Sequence, residues 1–291
     1  MRFASIAEVL ADLQKKAASH TSKSSEKPKQ QEEHGEDHEC PICKDTELVI
    51  KRDKRGYEFA SFCDCRERKA WKRRFKQALI PEEFVHANFE NFKRATQYQQ
   101  SMYDMTLEYL SEFKSDDERK IAKHNLGFIA VVGEQRLREL PPHERAPMKQ
   151  KHNNFGVGKT HLQIALAKRL IKDGFNVLVV SDVTFMDELI QARMMNDEGE
   201  TLNRLLYSAI HADVLVWDDI GKAKWSEAKE ALYYQIINER YRKQRPIVFS
   251  SNEDRGTLSE KIGYAAASRL IGQCGPYLLE VEGEDFRLKG A

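Results

Sequence analysis

Two short runs of residues have the types and spacing needed to hold and split a phosphoanhydride. Gly156-Val157-Gly158-Lys159-Thr160 is the second half of the G-x-x-x-x-G-K-[ST] pattern. Such a loop works because consecutive backbone N–H groups, unobstructed by side chains, wrap phosphates at a helix N-terminus. Gly156 and Gly158 supply that freedom, Lys159 would neutralise the β- and γ-phosphates of ATP, and Thr160 would reach Mg²⁺. The place of the first glycine is taken by Asn153. Upstream, the apolar run Phe128 to Val132 ends in Gly133-Glu134, as a buried strand feeding such a loop does. Setting aside the 20 residues Gln135 to Asn154 joins Gly133-Glu134 to Phe155 and completes the pattern. The expected cradle is therefore Gly133, Gly156, Val157, Gly158, Lys159, Thr160 and His161, split by an insertion. The insert is polar, basic and proline-rich, so it is expected to bulge as a loop. Phosphoryl transfer depends on positioning, so the insertion leaves ATP turnover open and is expected to slow it.

The second run, Val214-Leu215-Val216-Trp217-Asp218-Asp219-Ile220-Gly221, is an apolar strand ending in two acids. Asp218 would hold Mg²⁺, directly or through water, and Asp219 would orient or deprotonate the attacking water. A third strand, Pro246 to Ser251, ends in Asn252, placed to sense the γ-phosphate or the water. Arg269 lies near the end of a helix, where it could cap that helix or reach a neighbouring subunit's nucleotide.

A separate constellation comprises Cys40-Pro41-Ile42-Cys43, a gap of 19 residues, and Cys63-Asp64-Cys65. Two close thiolate pairs match a closed tetrahedral Zn²⁺ site, with Tyr57 to Phe62 as a hairpin strand of a zinc ribbon. Arg66 to Lys76 continues as a basic helix in which Trp71 and Phe75 form a packing pair or stack on nucleic-acid bases.

These groups need a scaffold, and the pattern describes one. Apolar runs at 128–132, 177–180, 214–217, 247–250 and 277–281 are short and nearly continuous, as strands covered on both faces are. Helical segments at 159–172, 183–195, 201–210, 226–244 and 258–271 lie between them, which makes a parallel sheet wrapped by helices. Four divisions are expected: an amphipathic helix and disordered linker (1–38), a zinc module with basic helix (39–79), a helical connector (80–125) and the α/β domain (126–291). Ile80-Pro81-Glu82-Glu83 reads as a helix start. The formal net charge is only +1, so nucleic-acid contact must come from local patches. No run approaches the roughly 18 apolar residues of a membrane span, and the N-terminus lacks a cleavage pattern, so a cytoplasmic protein with no membrane partner is expected.

Several runs together resemble a known family: GVGKTHL (156–162), DVLVWDDIG (213–221), QIINERY (235–241), Ser250-Ser251-Asn252, Ser268-Arg269-Leu270 and GEDFRL (283–288). They are similar to the bacterial and phage replicative helicase loaders of the DnaC/DnaI type. Transposition helper ATPases of the IstB type share that core. The resemblance implies an AAA+ fold without a separate lid domain, Asn252 as sensor 1, Arg269 as arginine finger, and self-association through the AAA+ domain. It also implies a hexameric replicative helicase and single-stranded DNA as partners, with DNA replication as the setting. The chain departs from the pattern at the split loop and at Ala265, where a basic residue often precedes the finger. The cysteine module favours a loader over an IstB-like helper acting on duplex DNA; a non-hydrolysing zinc adapter is the remaining alternative.

Overall fold

The five apolar runs of the C-terminal half become the strands of one parallel sheet. The computed structural model describes residues 38–113, 115–116, 118–119 and 124–287, apart from the side chains of Trp71, Ser115, Asp116, Glu118 and Arg119. The expected N-terminal helix, the linker as far as residue 37, and the end of the GEDFRL run lie outside the described residues. The chain divides into two units, residues 1–63 and 64–291.

In the first unit, β1 (Leu48–Arg52) pairs antiparallel with β2 (Glu58–Phe62), Leu48 opposite Phe62 and Arg52 opposite Glu58. The Asp53 carboxylate accepts from the N–H groups of Arg55 and Tyr57 at 2.8 and 2.9 Å, which fixes the turn and with it the register. Leu48, Ile50, Phe59 and Phe62 remain exposed on the hairpin.

The second unit begins with α1 (Cys65–Gln77), the expected basic helix. The anticipated helix start at Ile80 yields only a single 3₁₀ turn, Glu82–Phe84. Next come α2 (Gln97–Ser111), held by a Thr96/Gln99 capping box, and the short pair β3 (Ser115–Asp116) and β4 (Glu118–Arg119). The alternating part follows as β5 (Leu126–Ala130), α3 (Glu134–Glu139), α4 (Pro142–Lys151), α5 (Lys159–Lys172) and β6 (Val177–Ser181). It continues with α6 (Asp182–Met194), α7 (Glu200–His211), β7 (Val214–Asp218), α8 (Glu227–Arg242) and β8 (Ile247–Ser250). It closes with α9 (Arg255–Ile262), α10 (Tyr264–Gly272) and β9 (Leu278–Val281). All strand pairs of the sheet are parallel, in the order β6-β7-β8-β5-β9.

Successive residues of each strand enter different layers, as the period of two requires. Val214, Val216 and Val248 face a cluster with α2 and α5, whereas Leu215, Trp217, Ile247 and Phe249 face α6 to α10. Phe75 of α1 packs against the α5 side. Both layers bury the sheet, so the strands read as apolar runs rather than as alternation.

Two expectations about helices are corrected. Residues 258–271 do not form one helix, because Gly263 adopts φ +87° and breaks it into α9 and α10. The insert does not bulge as a loop; it folds as α3 and α4. Pro141 and Pro142 sit at the start of α4, where a missing N–H costs nothing, and the Arg145 guanidinium donates to the carbonyls of Arg138 and Leu140 at the end of α3. Helix α3 is fastened to the loop after β8 by Arg136 on Asp254 and by the Gln135 N–H on Glu253. Pro147 inside α4 forfeits one helical bond, and no residue of α4 is buried.

A fully buried carboxylate ties the sheet to its outer helices. Asp182, at the start of α6, accepts from Trp217 Nε1 at 2.9 Å, from the Tyr233 hydroxyl at 2.8 Å and from the Ala223 N–H at 2.8 Å. Burial pushes its pKa up to about 6, and those same hydrogen bonds oppose the rise. An acid whose folded pKa is raised stabilises the fold most below its unfolded pKa and loses that contribution as pH rises through the folded value. Asp182→Ala should destabilise by about 2–4 kcal/mol at neutral pH, because Trp217 and Ala223 lose their acceptor. Urea unfolding at several pH values should show the wild-type advantage over this variant shrinking as pH rises from near 4 to about 6.

Candidate nucleotide site and metal centre

The carboxyl ends of β5, β7 and β8 converge on one crevice, where open parallel sheets bind ligands. A cleft of about 270 Å³ opens there, lined by Phe84, Asn154 to His161, Asp219, Lys222, Asn252, Phe286 and Arg287. A larger groove of about 700 Å³ runs beside the edge strand β6, but it has no glycine loop and no lysine.

The cradle is assembled at the N-terminus of α5. Gly156 and Gly158 adopt φ +65° and +103°, which side chains rarely tolerate. A Cβ at Gly158 would also lie 2.6 Å from the Phe92 ring. Lys159 is buried, and its ammonium donates to the Asn154 carbonyl at 3.1 Å, the Ser251 carbonyl at 3.2 Å and Asn252 Oδ1 at 2.6 Å. Burial lowers its pKa to about 8, a shift opposed by the nearby Asp219 and Asp218.

Thr160 Oγ1 donates to both carboxylate oxygens of Asp218, at 3.0 and 3.1 Å, and Ser250 Oγ donates to Asp218 Oδ1 at 2.6 Å. Burial raises the Asp218 pKa, and the adjacent Asp219 charge adds to the rise. A hydroxyl and a carboxylate converging on one point are hard oxygen donors of the kind Mg²⁺ takes, so Thr160 and Asp218 fit that ion. Bound there, Mg²⁺ would neutralise phosphate charge. Asp219 follows in a left-handed conformation, φ +56°, its N–H on Ser250 Oγ at 3.0 Å. Its carboxylate accepts from Asn252 Nδ2 at 3.2 Å and from Lys222 Nζ at 2.6 Å. Such a backbone conformation costs about 1–3 kcal/mol and is found where a side chain must be aimed.

Lys159, Thr160, Asp218, Asp219 and Asn252 thus lie in one hydrogen-bonded group, while Gly156, Val157, Gly158 and His161 line the same cleft. The His161 ring meets the Asn88 carbonyl at 2.8 Å and packs against Phe92. Gly133 stands apart from the lining: it heads α3, its N–H on Asp254 Oδ2 at 3.0 Å. Asn153 and Asn154, from the end of the insert, stand where Gly133-Glu134 was expected. Arg269 is also outside the cleft; it donates to the Ala265 carbonyl and its guanidinium lies over the rings of Tyr234 and Tyr241 at 5.2 and 5.9 Å. The sequence reading missed Lys222, Phe84 and Arg287 as cleft residues. Lys222 and Arg287 had signals, three residues after Asp219 and within the GEDFRL run, whereas Phe84 comes from a distant segment.

The four cysteines Cys40, Cys43, Cys63 and Cys65 are all buried, and their sulfurs lie within 4.8 Å of one another. Cys40 and Cys63 Sγ are 3.8 Å apart. That is close to the edge of a tetrahedron with Zn–S bonds of about 2.3 Å, so the set fits a Cys₄ zinc site. The Asp45 carboxylate accepts from the N–H groups of Cys40 and Glu39 at 3.0 Å, fixing the first pair's loop.

The parallel sheet and the glycine loop at the start of α5 define a P-loop ATP-binding domain. Residues 152–291 match the family described as IstB-like ATP binding protein. This part of the chain is similar to IstB-like ATP-binding domains, and its fold is that of the DnaC helicase loader. The chain is 31% identical over 137 residues to the ATP-binding protein of insertion sequence IS21 from Pseudomonas aeruginosa, covering 46% of this chain and 50% of that protein. It is 30% identical over 115 residues to the replicative helicase loader DnaC of Buchnera aphidicola, covering 40% and 46%. It thus spans about half the length of these two relatives. A crystal structure of the DnaC helicase loader superposes with a TM-score of 0.52 at 18% identity, covering 69% of this chain and all of that one. Among the described residues no helix is long and apolar enough to cross a membrane.

Purified protein should carry about one zinc per chain by elemental analysis. The double variant Cys40→Ser/Cys63→Ser should lose it, and native protein with four freely titrating thiols would contradict the site.

Proposed function

We propose that the protein is an ATP-dependent loader that places a hexameric replicative helicase on single-stranded DNA. The observation that carries this reading is the Cys₄ cluster with its exposed apolar hairpin, a module that the resemblance associates with loaders and that contains no catalytic group. The module, with the N-terminal segment, grips the helicase, while the AAA+ domain binds ATP and DNA and self-associates. Asp219 accepts a proton from the attacking water. Asn252 bridges that carboxylate and the Lys159 ammonium, so both are aimed from one side chain. Arg269, on its tyrosines, serves as the finger toward a neighbouring subunit's nucleotide. Hydrolysis then releases the helicase.

A second reading, a transposition helper ATPase acting on duplex DNA, is supported by the similarity to the IS21 protein, which is as close as that to DnaC. The two separate by partner. The full chain should capture the hexameric helicase of its own host or phage, Cys40→Ser/Cys63→Ser should abolish capture, and Lys159→Ala should retain it while failing to release the helicase on adding ATP. Duplex DNA binding with no helicase capture would favour the helper reading and sink the loader.

A further inference from the structure

The turn that follows β7 carries a cation as well as an acid, and the backbone holds both in place. The Ile220 N–H donates to the Ser250 carbonyl at 2.8 Å, and the Ile220 carbonyl accepts from Ser251 Oγ at 2.7 Å. On the far side of Lys222, the Ala223 N–H is held by the buried Asp182 carboxylate. Between these anchors the chain turns at Gly221, and the Lys222 N–H closes the turn on the Asp219 carbonyl at 3.1 Å. Lys222 is thereby set beside Asp219. Its ammonium donates to Asp219 Oδ2 at 2.6 Å, while Asn252 Nδ2 donates to Oδ1 at 3.2 Å, so both oxygens of the acid are engaged. The Lys222 side chain is half exposed and lines the cleft with Lys159, Thr160 and Asn252. Burial is the main cause of the lowered Lys159 pKa, and the Lys222 charge acts in the same direction, which places two ammonium groups at one cleft.

We propose that Lys222 exchanges the Asp219 carboxylate for the terminal phosphate of a bound nucleoside triphosphate, so that the phosphate to be attacked uncovers the acid that serves the water. The inference rests on the nucleotide-site reading and deepens it, by naming a residue that tells triphosphate from diphosphate. An ammonium on a flexible four-carbon stem is a point charge with three donors, free to change acceptors. Lys159 is not free in this way, being buried and held by three oxygens. A terminal phosphate offers three strong acceptor oxygens and more charge than a carboxylate, so it competes well for Lys222. A diphosphate lacks that group and leaves the Lys222–Asp219 pair intact. Asp219 Oδ2 then becomes available to water only when there is a phosphate for that water to attack.

Titrations of the full chain with a fluorescent, non-hydrolysable ATP analogue and with its ADP counterpart test this. Lys222→Met, which keeps the stem and removes the charge, should raise the ATP-analogue Kd roughly tenfold and leave the ADP-analogue Kd within about twofold. Lys222→Arg should recover part of the preference for triphosphate. Exchange also makes Asp219 a competitor for Lys222, which a merely structural ion pair would not be. Asp219→Asn should therefore tighten the ATP analogue by a larger factor in the wild-type background than in Lys222→Met. Equal factors in the two backgrounds, or equal losses of both analogues in Lys222→Met, would overturn the proposal. Unchanged binding of both analogues in Lys222→Met, with Lys159→Ala losing them, would also overturn it and leave the nucleotide site standing. Unchanged binding in Lys159→Ala as well would overturn the site and the proposal together.

Discussion

The buried ammonium of Lys159 is the point on which the ATP-binding domain turns. It has left bulk water and is held by three oxygens drawn from two separate parts of the chain, the loop before α5 and the strand end after β8. A charge so placed is tolerated only while those oxygens and the nearby acids remain arranged around it. Asn252 belongs to both sets, since its oxygen meets the lysine and its nitrogen meets Asp219. The buried ammonium, the second acid and the strand end after β8 are therefore one arrangement.

Much of this was legible in the residue pattern. Strands buried on both faces cannot alternate, and the runs at 128–132, 214–217 and 247–250 announced a parallel sheet for that reason. The candidate nucleotide group was legible because Lys159 and Thr160 open a helix behind two glycines, and Asp218 and Asp219 close an apolar strand, so each pair's place follows from its immediate neighbours in sequence. The cleft position of the GEDFRL run was not, because it depends on contacts of Gly283 and Phe286 with Asn153 and Gly156 more than 100 positions earlier. The fold of the insert also escaped. Its prolines suggested a loop, yet Pro141 and Pro142 stand at a helix start, and Arg145 satisfies the carbonyls that the break exposes. Gly263 likewise has no sequence cue beyond being a glycine, though its φ decides that residues 255–272 are two helices.

The insert also clarifies what a phosphate loop requires. Its covalent entry from β5 was expected to matter, and Gly133 to form part of the cradle. In the structure Gly133 instead feeds α3, and the cradle is approached from the far end of α4. What the end of the insert supplies is the Asn154 carbonyl that accepts from Lys159 and the Asn153 groups that pair with Gly283. A strand end and a helix start can be held in register by the sheet and by side-chain hydrogen bonds, without a short connection between them.

Helix α4 follows from that separation as an exterior handle on an interior site. It contributes no buried residue, yet its last turn runs directly into the residues that touch Lys159 and Gly283. Chain length between β5 and α5 is consequently a tolerant dimension of this fold, open to lengthening by lineage or by design. A dye or a small recognition tag grafted onto the outer face of α4 would ride within a few residues of the phosphates without entering the cleft.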